Sequence, residues 1–102
     1  MNFHDSELRV IRDAEARGAL KGSEEVQALY VAADVGSLCD AIATGRPIDH
    51  ISDAMGRVAI DMIVLCAILD VDLAKSMETA FNKISAKPVD TSNVVLLKRD
   101  QS

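Results

Sequence analysis

Apolar residues recur three or four positions apart along most of the chain, and the breaks fall at Gly, Pro and capping residues. The first run, Leu8, Ile11 and Ala14, predicts a helix that starts after Asp5 or Ser6 and ends near Gly18. A second begins behind Ser23, a favourable N-cap, with Glu24 and Glu25 set against the helix dipole. It carries Val26, Leu29, Tyr30, Ala33 and Ala41 to Ile42 and stops at Thr44-Gly45. Val31, Val35 and Leu38 widen its apolar face beyond one stripe, so it needs neighbours on more than one side.

A third helix follows Pro47, with Asp49 as its expected cap. Ile51, Met55, Val58, Met62, Leu65 and Leu69 make one stripe, while Ala54, Ile60, Ile63, Val64 and Cys66 cover much of the rest. The fourth starts at Asp72, holds Leu73, Met77, Ala80, Phe81 and Ile84, and is ended by Lys87-Pro88. Beyond it, Val94-Val95-Leu96-Leu97 is a short apolar run that periodicity leaves open as a strand or a packing arm. The division expected is an all-α domain over 1–87 and a C-terminal arm or tail over 88–102. Helices so broadly apolar, in so short a chain, predict a bundle completed by association into a homo-dimer or homo-tetramer.

Composition narrows the function classes. In 102 residues, 49% are apolar and 26% charged, which supports one folded domain rather than disorder. Eleven basic against 16 acidic residues give a net charge of −5, which argues against coating nucleic acid by bulk charge. The balance is uneven: residues 79–102 hold four bases and two acids, a modest basic segment on an acidic protein. Cys39 and Cys66 sit in apolar helical patterns, where free cysteines are expected to be buried. His4 and His50 lie near helix starts with no second ligand at metal-binding spacing, and no Ser–His–Asp set or Gly-rich phosphate loop occurs. No basic-then-apolar leader opens the chain, and its most apolar stretch, residues 58–69, falls short of the roughly 20 needed to span a bilayer. The expectation is a cytoplasmic protein with no membrane partner and no cofactor.

Several segments together carry a resemblance. They are Ala14-Glu15-Ala16-Arg17-Gly18, Gln27-Ala28-Leu29, Val35-Gly36-Ser37-Leu38, Asp53-Ala54-Met55-Gly56-Arg57-Val58, Leu69-Asp70-Val71-Asp72-Leu73 and Ala80-Phe81-Asn82-Lys83-Ile84. Over roughly residues 9–99 the chain resembles the MazG-like, all-α nucleoside triphosphate pyrophosphohydrolases of the small bacteriophage type. The resemblance implies a four-helix MazG-like bundle. In that family, carboxylates in an EExxE and an ExxD motif on two neighbouring helices hold magnesium. Acids at those spacings converge on a hard cation, which then neutralises phosphate charge and activates water.

Here the corresponding positions are Ala33, Asp34, Ser37, Ala54 and Arg57, with one carboxylate left and no net formal charge. The register is fixed by Arg57 standing fifteen residues before Asp72. No metal is therefore expected, and the chain reads as a non-catalytic relative.

Lys83 matches a position that faces phosphate in the family, and Lys87 follows one turn later. A pocket that lost its metals and gained Arg57 can bind phosphate directly. Arg57 also has a plainer reading as an ion pair with Asp53 or Asp61, each four residues away. Tyr30 is either an amphipathic core-edge residue or a platform for a base. Lys98 and Arg99 are either a solvated end or part of a basic arm with Lys83 and Lys87.

The function expected is binding of nucleic acid, single-stranded DNA above duplex, or of nucleotide phosphate, in phage replication or transcription control. Two alternatives stand beside it. One is a protein-interaction module acting on a polymerase or another host factor, suggested by the broad apolar faces and the Val94–Leu97 run. The other is a residual magnesium-dependent pyrophosphohydrolase rebuilt on Asp34, Asp53 and Asp61.

Overall fold

The computed structural model describes residues 2–86. Over them the chain is all helical: α1 (Phe3–Ala16), a 3-10 turn (Ala19–Lys21), α2 (Glu24–Ala43), α3 (Ile48–Ile68) and α4 (Leu73–Ala86), with no strand among the described residues. Lys87, Lys98, Arg99 and the Val94–Leu97 run lie outside the described residues.

Two of the four starts differ from expectation. α1 begins a turn early because Asn2, not Asp5 or Ser6, is the cap: its Oδ1 accepts from the Asp5 backbone N–H at 2.9 Å. α3 begins at Ile48, directly behind Pro47, with no side-chain cap, and Asp49 lies inside its first turn. The Pro47 carbonyl accepts from the His50 and Ile51 N–H groups, so the backbone itself opens the helix. Ser23 caps α2 through Val26 N–H at 3.4 Å, and Asp72 caps α4 through Lys75 N–H at 3.1 Å.

α2 and α3 both end in the same backbone device. Behind α2, Gly45 takes the left-handed conformation (φ 67°), its N–H reaches the Ile42 carbonyl, and Arg46 N–H reaches Ala41. Behind α3, Asp70 does the same (φ 55°), with Val71 N–H on Cys66 at 2.8 Å. This closes the last carbonyls of each helix and turns the chain sharply.

The tight turn at Thr44–Pro47 folds α2 and α3 into an antiparallel hairpin, the main packing unit of the chain. α1 and the 3-10 turn pack on the outer side of α3. The helices approach through small residues: Ala41 and Ala54 are buried, as are Ala14, Ile63 and Val64, and no large side chain among the described residues is fully enclosed. This corrects the stripe expected for α3. Its inward line is Ile51, Ala54, Val58, Asp61 and Leu65, whereas Met55, Met62 and Leu69 face water. α4 stands apart, with Leu73 half-buried and Met77, Phe81 and Ile84 exposed.

Candidate ligand groove along α2 and α3

The five positions of the expected carboxylate motifs do not form one cluster of like residues. Ala54 is buried where α3 meets α2, while Ala33 and Ser37 lie one turn apart on the open side of α2. Asp34 is half-buried and turned toward α3. Arg57 is exposed and engages Asp53 across one helical turn, Nε to Oδ2 at 2.9 Å. Both partners are well solvated, so the pair is worth only about 0.3–0.5 kcal/mol and leaves the guanidinium reachable.

Asp61 meets one of the two acids that the rebuilt-site alternative sets beside it. Its carboxyl meets that of Asp34 across the two helices, and Gln27 Nε2 donates to its backbone carbonyl at 3.0 Å. One oxygen, Oδ2, is closed off from solvent without a hydrogen-bond partner. Burial, then the hydrogen bond and negative charge of Asp34, push the Asp61 carboxyl up to about 6, and Arg57 offsets part of that rise. Of the three acids in the rebuilt-site alternative, Asp34 and Asp61 come together, and Asp53 is held by Arg57.

A groove of about 810 Å³ runs along the open side of α2 to the α2–α3 turn. Ala33, Gly36 and Ser37 line one end, and Arg46 and His50 close the other, with Asp40 and Thr44 between. The local backbone explains where Arg46 and His50 stand. Arg46 is the residue whose N–H completes the α2 terminus, and His50 sits in the first turn of α3 behind Pro47.

The hydroxyls are already committed. Ser37 Oγ donates to the Ala33 carbonyl at 3.2 Å, and Thr44 Oγ1 donates to that of Asp40 at 2.8 Å. Each can therefore only accept from a ligand. A phosphate in this groove would be held by Arg46 and by His50 when protonated, with Asp40 opposing it.

Tyr30 lies one turn before Ala33 on the same side of α2, with its ring exposed. A stretch from Tyr30 to Thr44 spans roughly 21 Å along the helix axis. Lys83 lines a smaller groove of about 430 Å³ formed by α4 and Asp72, with Lys75 beside it. Sequence periodicity did not single out Arg46 or His50, because it stops at the turn. The Gly45 terminus next to Pro47 is the signal that places them.

Cys39 is exposed, contrary to the burial expected of it, because the α2 face that carries it points away from α3. Cys66 is half-buried, and burial, then the negative charge of Glu7, raises its thiol. His4 and His50 are both exposed at helix starts, as expected. Among the described residues α2, rather than residues 58–69, is the helix long and apolar enough to cross a membrane by length and composition. No protein-family profile, curated protein or solved structure is matched by the chain.

Proposed function

We propose that the chain is a non-catalytic MazG-like scaffold that binds nucleic acid, single-stranded DNA in preference to duplex, or nucleotide phosphate. It does so in the cytoplasm as a homo-dimer or homo-tetramer, in phage replication or transcription control. The observation that carries the reading is the groove that sets Arg46 and His50 at one end and Ala33 and Ser37 at the other. Two of the positions expected to carry metal-holding acids are thus small and neutral, and they share their groove with Arg46 and His50.

Tyr30 extends the same side of α2 with an exposed ring suited to stacking a base, so one face offers both phosphate and base contacts. Arg57 adds a solvated guanidinium on α3, seven residues after His50 and so on the same side of that helix. Lys83, Lys87, Lys98 and Arg99 are the further cations proposed to reach the backbone of the strand. Narrow cationic contacts suit a net-acidic protein, since they bind locally while the rest of the surface repels polyanions.

The test is fluorescence anisotropy of a labelled single-stranded oligonucleotide titrated with protein at two salt concentrations. Saturable binding that weakens steeply with salt, and that duplex competes for poorly, is the expected result. A flat titration at low salt, for oligonucleotide and for labelled nucleoside triphosphate alike, overturns the reading.

A further inference from the structure

α1 carries a second groove, which the proposed ligand contacts leave unused. Three of the chain's six arginines, Arg9, Arg12 and Arg17, stand on this helix or at its end, and all three are exposed. At about 100° per residue they fall within an arc of roughly 140°. With Val10, Asp13 and Ile60 of α3 they line a groove of about 660 Å³ where α1 lies on α3. Glu7, two residues before Arg9, is turned the other way and acts on Cys66 of α3.

Three guanidinium groups thus meet one carboxylate, on a protein whose net charge is −5. Asp13 Oδ2 engages Arg17 Nε at 2.9 Å across one turn. The two side chains stay 61 and 75% exposed, so the pair is weak and leaves the rest of the Arg17 fork in water. Arg12 is in no ion pair with another described residue. Apolar surface lies beside these cations: Val10 is half-buried, and Ile60 is 48% exposed.

We infer that this groove docks an acidic, amphipathic segment of a partner protein, whose carboxylates meet the arginines and whose apolar side chains cover Val10 and Ile60. Charge complementarity selects the acids, since guanidinium forks take carboxylates two bonds at a time. Arg9 and Arg17 stand roughly 12 Å apart along the axis, about two turns of a partner helix with acids one turn apart. Helices that lay an apolar stripe into a groove rimmed by charge are a recurring mode of recognition.

The apolar floor selects a protein segment over a nucleic-acid strand. A phosphodiester backbone has nothing to set against Val10 and Ile60, and no aromatic ring among the described residues lines this groove to stack a base. The open walls, with Arg17 and Ile60 largely in water, disfavour a small molecule, which binds where most of its surface is enclosed. Within the described residues, the proposed strand contacts lie on α2, the α2–α3 turn, α3 and α4. The two readings therefore fail separately.

The experiment titrates the full chain into a labelled peptide of about 18 residues, long enough to be helical, with Leu at every third or fourth position and Glu between. Saturable binding is expected, weakened about tenfold by Arg12→Glu/Arg17→Glu and by replacing the peptide's Glu with Gln. Ile60→Ser is expected to weaken it several-fold. Arg12→Gln/Arg17→Gln, which keeps the length of both exposed side chains, is expected to act in the same direction and decides the matter if the charge-reversed variant misfolds. A labelled single-stranded oligonucleotide is expected to bind wild type and these variants equally. No saturable peptide binding, or binding that neither arginine variant weakens, overturns the inference. Loss of oligonucleotide binding in folded arginine variants assigns the groove to nucleic acid instead, and a change in their sedimentation mass assigns it to a second copy; either result also overturns it.

Discussion

Asp61 on α3 meets Asp34 on α2, and burial together with this second carboxyl makes Asp61 hold its proton more tightly than in the open chain. Asp61 titrates from 3.8 in the open chain to about 6 in the fold, so between those values the folded protein binds more protons than the unfolded chain. The stabilisation is complete below about pH 4, falls as pH rises through that window, and is gone above about 6. With partial solvent access allowed for, the swing is on the order of 2 kcal/mol. Asp61→Asn mimics the protonated form, so it should raise the urea midpoint at pH 7.5 and differ little from wild type at pH 4. A variant less stable than wild type at pH 7.5 would show that the ionised pair is favourable after all.

Asp70 occupies the left-handed position that ends α3, the place Gly45 fills behind α2. A side chain there crowds its own backbone, a cost that aspartate bears better than most residues but does not escape. Asp70→Gly should therefore raise stability by about 0.5 kcal/mol, less than the full penalty because glycine also loosens the unfolded chain. Gly45→Ala should lower it by about 1 kcal/mol. Urea titrations of the two variants in parallel check both signs.

Ala41 and Ala54 set the distance between α2 and α3, since both are buried where the helices meet. A larger residue has nowhere to go without pushing the helices apart. Ala41→Leu should cost about 1–3 kcal/mol despite being more apolar. The same substitution at exposed Ala33 should cost under about 0.5 kcal/mol. Equal effects at the two sites would mean that the helices are not in close contact at Ala41.

These small contact residues also explain what was legible in the sequence. The helices and most of their ends were, because Ser23, Asp72, Gly45 and Pro47 act through local backbone chemistry. The inward face of α3 was legible only in part. Periodicity finds Ile51, Val58 and Leu65, but it weights large apolar residues and so adds Met55, Met62 and Leu69, whereas Ala54 and Asp61 complete the inward line. The Asp34–Asp61 pair entered only through the rebuilt-site alternative, for a related reason. Spacing within one helix offers Asp61 the neighbouring Arg57, and only the pairing of two helices offers it Asp34.

Tyr30 and Arg46 lie on the same side of α2 but should contribute to binding in different currencies, and that difference tests the groove as a binding surface. A base stacked on Tyr30 is desolvated with no change in counterion count. Tyr30→Ala should therefore weaken single-strand binding by about 1–3 kcal/mol at every salt concentration. Arg46 would neutralise a phosphate, so Arg46→Ala should weaken binding more at low salt and reduce the log–log salt slope by roughly 0.7. Arg57→Ala should behave like Arg46→Ala in binding while changing stability by less than about 0.5 kcal/mol, since its pair with Asp53 is exposed. Anisotropy titrations at four salt concentrations separate these effects. If both arginine variants keep the wild-type slope, the α2–α3 groove does not contact phosphate, and any binding measured belongs to another surface of the chain.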